Sequence, residues 1–323
     1  MAKPKVFISR KIFREALDKI SAAADMEVWP EEIPPSYEVL AEKAGRADGI
    51  LTMLSDKLDD NLMEKSPHLK VISSMAVGYD NIDIAAATRH GIRVGYTPGV
   101  LTETTADLIF ALLLSAARRI VEADKYVRDG QWKTWTPMGL LGQDVHHATL
   151  GIIGLGRIGL EVARRARGFN MKILYYSRTR KTPDEEKQLG LEYVDRMAEL
   201  LTRSDFISVH VPLNKETRHL FGAEKFAMMK PTAIFINASR GLVVDQRALY
   251  EALKSKKILS AAIDVTEVEP IPLNDPLLTL DNLIITPHIG SAGSMTRRKM
   301  AIMAADNLLA GIRGGPLPNC VNP

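Results

Sequence analysis

Residues Thr149–Gly168 read TLGIIGLGRIGLEVARRARG. The run Leu150–Ile153 is apolar and short, the pattern of a buried strand. Gly154, Gly156 and Gly159 follow it, and Arg157–Arg167 then carries Ile158, Val162 and Ala166 on one helical face. Strand, glycine turn and helix in this order are the context a dinucleotide fingerprint requires. Gly154 would allow the tight turn, Gly156 would let the backbone approach a pyrophosphate, and Gly159 would let the helix sit close to the strand. The pyrophosphate would rest on the helix N-terminus, where unpaired N–H groups and the positive dipole end favour an anion. Glycine spacing alone is a weak signal, because glycines occur at turns for purely conformational reasons. The flanking strand and helix give it weight.

The rest of the chain bounds this reading. A length of 323 residues suggests two domains, each with its own core. An apolar content of 46% and a charged content of 25% are those of an ordinary globular protein. A formal net charge of +3 is too small to argue for nucleic acid or a membrane surface as partner. The single cysteine, Cys320, excludes a disulfide within the chain and fits a reducing, cytoplasmic compartment. The N-terminus lacks an apolar segment of signal-peptide length, and the longest apolar run, near Leu108–Ala117, is too short to span a bilayer.

Before the fingerprint, five short apolar runs alternate with helical stretches. Strands are expected at Lys5–Ser9, Glu27–Trp29, Gly49–Leu54, Lys70–Met75 and Arg93–Tyr96, with helices at Lys11–Ala24, Ser36–Arg46, Asp59–Lys65 and Ile84–His90. This alternation implies a parallel sheet covered on both faces. Thr97-Pro98-Gly99 is a break. One long helix is expected from about Glu103 to Asp129, stopped by Gly130. The segment after it, GQWKTWTPMGLLGQDVHH, is irregular and apolar enough to be expected to pack on something, such as another subunit. After the fingerprint, strands at Lys172–Ser177, Phe206–Val211, Ala233–Ala238, Leu259–Val265 and Leu283–Thr286, with helices between several of them, read as a doubly wound sheet. A last helix covers about Met295–Ile312, and the tail GGPLPNCVNP is extended. By alternation alone these would be two sequential domains.

Four further blocks make a family resemblance: VGYDNID (Val77–Asp83), INASRG (Ile236–Gly241), Glu269-Pro270, and TPHIGS (Thr286–Ser291). With the fingerprint, and in this order over nearly the whole length, they resemble the D-isomer-specific 2-hydroxyacid dehydrogenases. LTETTAD, the W-x-x-W-x-P run and DVHH make the chain look most like the glyoxylate/hydroxypyruvate and 2-ketogluconate reductases within that family. The resemblance implies a Rossmann cofactor domain over residues 99–288. It implies a smaller flavodoxin-like α/β substrate domain formed by residues 1–98 and completed by 289–323. It also implies a homodimer built through the long helix and the tryptophan segment.

Reducing a 2-oxo acid requires that the carboxylate and carbonyl be held, that a proton reach the developing alkoxide, and that a hydride approach the carbonyl carbon. Arg240 follows the strand AIFINA, at a carboxyl strand end, where such sheets bind ligands. Its planar fork can grip a carboxylate or carbonyl oxygen. The resemblance makes it the substrate arginine; without it, a surface arginine at a turn is an equal reading. His288 follows the strand LIIT, and histidine is the natural proton donor near neutral pH. His146, His147, His210 and His219 read as structural, although His210 could line the cofactor site. By resemblance Glu269 would hydrogen-bond His288, orient its ring and favour its charged form. The N–H groups of Val77 and Gly78 would hold the substrate carboxylate, and Leu54 would close the pocket. Pocket size would depend on Leu54, Met295 and the Trp132–Leu141 segment.

The choice of nicotinamide turns on the residue about 20 positions after the fingerprint, where an acidic side chain bonds the ribose 2′-OH in NAD enzymes. Here the strand ends in Ser177, followed by Arg178, Thr179, Arg180 and Lys181, and the first acid is Asp184. A 2′-phosphate would find donors in Ser177, Arg178 and Arg180 and no carboxylate to repel it. Charge-assisted hydrogen bonds contribute about 1.5–3 kcal/mol each, so NADPH is expected over NADH, with NAD possible. The alternative is a solvated basic loop. Other contacts follow by resemblance. Arg157 and Ile158 would lie at the pyrophosphate, Val211 and Pro212 beside the adenosine, and Thr217 on a phosphate. Ala238, Asp264, Gly290 and Thr105 would lie near the nicotinamide, with Asp264 accepting from the carboxamide. A non-catalytic dinucleotide sensor on the same fold is the competing reading from a different class. Other branches of the family fit less well: phosphoglycerate dehydrogenases often carry a further regulatory domain, and formate dehydrogenases usually place glutamine where this chain has Glu269.

Overall fold

The computed structural model describes residues 3–323. The described chain divides into two compact units, one running to Leu101 and resuming at Ser291–Pro323, the other spanning Thr102–Gly290.

The first unit alternates strand and helix: β1 (Lys5–Ile8), α1 (Arg14–Ala23), β2 (Asp25–Val28), α2 (Tyr37–Gly45), β3 (Gly49–Thr52), α3 (Asp60–Glu64), β4 (Val71–Ser74), α4 (Ile84–Arg89) and β5 (Arg93–Gly95). All pairs are parallel, in the order β2-β1-β3-β4-β5. This is the flavodoxin-like order. Alternate residues of each strand face opposite sides. Phe7, Ile50, Ile72 and Val94 pack with Leu40, Leu62 and Ala86 of α2, α3 and α4. Val6, Ile8, Leu51 and Val71 pack with Ala16 and Ile20 of α1 and with Ala301, Ala304, Ala305 and Leu308 of the last helix of the chain. Each fully buried aliphatic side chain contributes about 1.5–3 kcal/mol, so the C-terminal helix belongs to this unit's core. The extended tail pairs with β5: Val321 N–H donates to Val94 O at 2.8 Å, and the Asn322 side chain accepts from Val94 N–H at 2.8 Å.

The second unit opens with α5 (Thr102–Ala117) and α6 (Ile120–Arg128). These replace the single helix expected over Glu103–Asp129. No proline or glycine marks the break. Arg119 adopts φ 52°, and its guanidinium forks onto Glu122, with Nε to Oε2 at 2.8 Å and Nη2 to Oε1 at 2.6 Å. The Ala117 carbonyl leaves the helix ladder and accepts from Gln143 N–H at 2.8 Å. A long-range contact thus competes with helical continuation and wins. The tryptophan segment that follows has no regular structure and leaves Trp132, Trp135, Met138 and Leu141 exposed.

The sheet of this unit then forms: β6 (Thr149–Ile153), α7 (Arg157–Arg167), β7 (Lys172–Tyr176), α8 (Pro183–Leu189), β8 (Leu191–Tyr193), α9 (Met197–Arg203), β9 (Phe206–Val209), α10 (Ala223–Ala227), β10 (Ile234–Asn237), α11 (Gln246–Lys254), β11 (Ser260–Ile263) and β12 (Leu283–Ile285). The last helix, α12 (Ser294–Ile312), is the one already placed in the first unit. The seven strands run parallel in the order β12-β11-β10-β9-β6-β7-β8, a Rossmann arrangement. Leu150, Ile152, Ile173 and Ile236 meet Ile109 and Leu113 of α5 and Val162 of α7 on one face. Ile153, Leu174, Ile207 and Phe235 meet Leu200, Phe226 and Leu249 on the other. Among the described residues no helix is long and apolar enough to cross a membrane.

Candidate active site

The fingerprint glycines differ in what fixes them. Gly154 has φ 91°, and a Cβ there would lie 2.9 Å from the His210 backbone carbon and oxygen. A Cβ on Gly159 would lie 2.5 Å from Gly154 O, so the helix can approach the turn only without one. At Gly156, the residue preceding α7, a Cβ would meet nothing within 4 Å. This N-terminus has no side-chain cap and no acidic residue in its first turn, where Arg157 and Ile158 stand. Uncapped N–H groups, a cation and open space fit a pyrophosphate. The Val211 side chain lies against the turn, with its Cγ1 3.1 Å from a Cβ built on Gly154, and exposed Pro212 follows it. His210 bonds Ser208 at 2.8 Å, and burial pushes its pKa down to about 3, so its ring is neutral.

At the end of β7 the basic loop is less free than its composition suggests. Arg180 donates to both oxygens of Glu186 at 2.9 Å and stacks over the Tyr193 ring. It is therefore engaged within the chain, whereas exposed Arg178 and half-buried Ser177 have no side-chain partner among the described residues. Thr217, expected at a phosphate, donates to Pro212 O at 2.6 Å and accepts from Asn214 N–H at 2.8 Å. Its hydroxyl shapes its own loop.

Arg240, Glu269 and His288 follow the carboxyl ends of β10, β11 and β12, three neighbouring strands. Asn237, buried at the end of β10, fixes the first turn: its amide donates to Arg240 O at 3.0 Å and its carbonyl oxygen accepts from Ser239 N–H at 3.0 Å. The Arg240 guanidinium also donates to Ser239 O at 2.8 Å. Gly241 lies so close to Thr266 that a Cβ would overlap the Thr266 carbonyl. Thr266 N–H in turn donates to Glu269 Oε1 at 3.2 Å, and Glu269 Oε2 meets His288 Nδ1 at 2.7 Å. With Nδ1 held by a carboxylate, Nε2 is the ring nitrogen able to give up a proton. Arg240 stays charged and cannot serve as that donor.

His288 has φ 53°, an uncommon conformation for a residue with a side chain. Asp264, buried at the end of β11, imposes it. Its carboxylate accepts from Thr286 Oγ1 at 2.6 Å, Ile289 N–H at 2.8 Å and Gly290 N–H at 2.7 Å, and its carbonyl accepts from His288 N–H at 2.9 Å. Asp264, expected to serve a carboxamide, thus spends most of its carboxylate on the histidine loop. Thr105 of α5 abuts Gly290, with its Cγ2 3.4 Å from a Cβ built there, and Ala238 packs on the adjoining core.

In the first unit, Leu54 follows β3, and Val77 and Gly78 follow β4, again at carboxyl strand ends. Leu54 is exposed; Val77 and Gly78 are partly so. Asn81 ties these loops together, its amide donating to Met53 O at 3.2 Å and Asp56 O at 2.7 Å. Buried Asp56 accepts from Met53 N–H at 2.8 Å and from Ser9 Oγ. Sequence reasoning missed the supporting roles of Asn81, Asp56, Asn237 and Asp264. Asn81, Asn237 and Asp264 lie inside blocks or strands already singled out, but the partners of Asn81 and Asp264 are more than 20 residues away. Among the described residues no group of three or more His, Cys, Asp or Glu could hold a metal.

Comparison with known proteins adds independent findings. Residues 110–290 match the family model described as D-isomer specific 2-hydroxyacid dehydrogenase, NAD binding domain. The chain is 53% identical over 321 residues to a glyoxylate reductase of Korarchaeum cryptofilum, covering 99% of this chain and 96% of the relative. It is 52% identical over 324 residues to the glyoxylate reductase of Thermococcus litoralis, covering 99% and 97%. Among solved structures, a Thermus thermophilus protein superposes with TM-score 0.91 at 44% identity, covering 98% of this chain and 99% of that one. The NADPH-dependent glyoxylate/hydroxypyruvate reductase of Sinorhizobium meliloti, in complex with NADP and malonate, superposes with TM-score 0.85 at 30% identity, covering 99% and 97%.

Proposed function

We propose, from the premise that the chain belongs to the D-isomer-specific 2-hydroxyacid dehydrogenase family and is an NAD(P)-dependent oxidoreductase acting on CH–OH groups, that it reduces small 2-oxo acids such as glyoxylate and hydroxypyruvate, with 2-ketogluconate a further candidate, preferring NADPH. The relatives named for glyoxylate support the substrate class. The unit carrying the fingerprint is the cofactor domain of this proposal and the flavodoxin-like unit the substrate domain. The observation that carries the catalytic reading is the 2.7 Å contact of His288 Nδ1 with Glu269, on a backbone locked by Asp264.

When bound, the nicotinamide supplies the hydride. The chain's own side chains do the rest. Arg240 grips the carboxylate and carbonyl through its fork and polarises the carbonyl. The Val77 and Gly78 N–H groups take the carboxylate, and Leu54 walls the pocket. As the carbonyl carbon becomes tetrahedral, His288 Nε2 gives its proton to the oxygen, while Glu269 keeps Nδ1–H oriented and stabilises the charged ring beforehand. The neutral imidazole then regains a proton from water.

For the cofactor, Ser177 in place of an acid and Arg178, whose side chain has no partner among the described residues, support NADPH. The exposed apolar residues Ile120, Val121 and Val127 of α6, together with Trp132, Trp135, Met138 and Leu141, support a homodimer through this face. Oxidation of NADPH and NADH by a panel of 2-oxo acids tests the proposal. Turnover of glyoxylate with kcat/KM at least about tenfold higher for NADPH is expected. No turnover of any 2-oxo acid would remove the enzymatic reading, and an NADH preference would remove the cofactor reading alone.

A further inference from the structure

The loop after β7 is held by a clasp that neither the fingerprint nor the sheet requires. Glu186, on α8, is buried, and Tyr175, on β7, is fully so. Glu186 Oε1 accepts from the Tyr175 hydroxyl at 2.6 Å and from Arg180 Nε at 2.9 Å, and Oε2 accepts from Arg180 Nη2 at 2.9 Å. The Tyr175 hydroxyl itself accepts from Lys181 N–H at 2.9 Å. Arg180 lies over Tyr193, 5.0 Å from the ring centroid. Thr182 and Glu185 close a capping box at the start of α8.

One end of the loop 177–182 is therefore continuous with β7, second from the edge of the sheet, and the other is pinned by Arg180, Lys181 and Thr182. Between them stand Ser177 and Arg178, whose side chains have no partner among the described residues. The clasp stays in one charge state across the working range. The Arg180 guanidinium and the Tyr175 hydroxyl hold Glu186 at about 2, while burial and then the Glu186 hydrogen bond push Tyr175 up to about 12. Stability alone gives little reason for such a group, because the Arg180 side chain is 58% exposed and an ion pair open to solvent contributes only about 0–1 kcal/mol. What a fork and a shared hydroxyl do supply is one fixed geometry.

We infer that Glu186 and Tyr175 are positioning residues for cofactor selectivity, holding the loop through Arg180 and Lys181 in the shape from which Ser177 and Arg178 meet a ribose 2′-phosphate. This rests on the NADPH preference proposed above. The clasp holds only the loop that carries Ser177 and Arg178, so its loss is expected to act on NADPH. In this arrangement Arg180 is a strut of the loop and not itself a phosphate ligand.

Steady-state kinetics of the full chain with NADPH and with NADH test this in Glu186→Gln, Tyr175→Phe, Arg180→Ala and the Glu186→Gln/Arg180→Ala double variant. Each single variant raises KM for NADPH about tenfold, with KM for NADH and both kcat values within about twofold of the parent. The double variant is no worse than either single one, since the residues act as one unit. A lower KM for NADPH in Glu186→Gln overturns the inference, because Glu186 would then be restraining a direct phosphate ligand. So does an unchanged one. Tyr175→Phe keeps the buried ring, and it decides the question if Glu186→Gln fails to fold. An NADH preference in the parent protein is read before any variant is made and would defeat the cofactor reading itself.

Discussion

Asp264 holds His288 by the backbone and not by the ring. The His288 N–H donates to the Asp264 carbonyl at 2.9 Å, and the Asp264 carboxylate takes the next two backbone N–H groups at 2.8 and 2.7 Å. Two separate carboxylates therefore serve one residue: Glu269 meets its ring at Nδ1 and Asp264 holds its backbone.

Asp264→Asn turns an amide NH₂ toward groups that are themselves donors. The loop shifts, and we expect kcat to fall about 10- to 100-fold with a small change in KM for the 2-oxo acid, and stability to drop by about 2 kcal/mol. Rate and thermal melting of the same preparation check both effects. A full-rate variant would mean the loop keeps its shape without this carboxylate.

Glu269→Gln leaves the hydrogen bond to His288 possible but removes the charge. Loss of the charge should cost about 100-fold in kcat, within the range of a general-acid contribution. Binding of the cofactor, read by fluorescence titration, should not change, because Glu269 lies beyond the fingerprint. Weaker cofactor binding of similar size would count against a proton-transfer role.

Gly241→Ala places a methyl group into the Thr266 carbonyl, a backbone obstacle that cannot rotate away. Thr266 N–H bonds Glu269, so displacement passes directly to the His288 partner. The variant should lose about 1–3 kcal/mol of stability and nearly all activity. Denaturant unfolding together with an activity assay separates this from a surface substitution, for which neither would move.

Asn81→Ala frees the Met53–Asp56 turn from the loop that follows β4. Leu54 rides on that turn. Substrate KM should rise several-fold with kcat changed less, an effect of roughly 1 kcal/mol for a lost pair of hydrogen bonds. A kcat defect at constant KM would point to a different role.

Acid stability should fall in a defined window. The Tyr37 hydroxyl at 2.5 Å and Lys57 at 2.9 Å hold Asp59 at about 2, below its ordinary value of 3.8. A carboxyl depressed in the folded state contributes stability above the unfolded value, and that contribution is lost as pH falls through the folded one. Melting temperature should thus decline between about pH 4 and pH 2 partly through Asp59. In Asp59→Asn that decline should be shallower and the neutral-pH melting temperature lower. Superimposable curves would show that this pair adds nothing.

The sequence by itself determined the two parallel α/β sheets, the fingerprint turn and the strand-end positions of Arg240 and His288. Each is written in a local pattern: alternation of apolar runs with helices, glycines at fixed offsets, a histidine just past an apolar strand. Even the family was legible, through blocks such as INASRG and TPHIGS. Tertiary structure alone decided the rest. The break at Arg119 depends on Gln143 reaching the Ala117 carbonyl, and the capture of Arg180 by Glu186 depends on α8 folding back onto β7. The double hold on His288 joins it to Asp264, 24 positions away, and to Glu269, 19 positions away. Hydrogen bonds between residues distant in the chain leave no periodicity, so local propensity cannot announce them, and they are what turns a basic loop or a lone histidine into a site with one geometry.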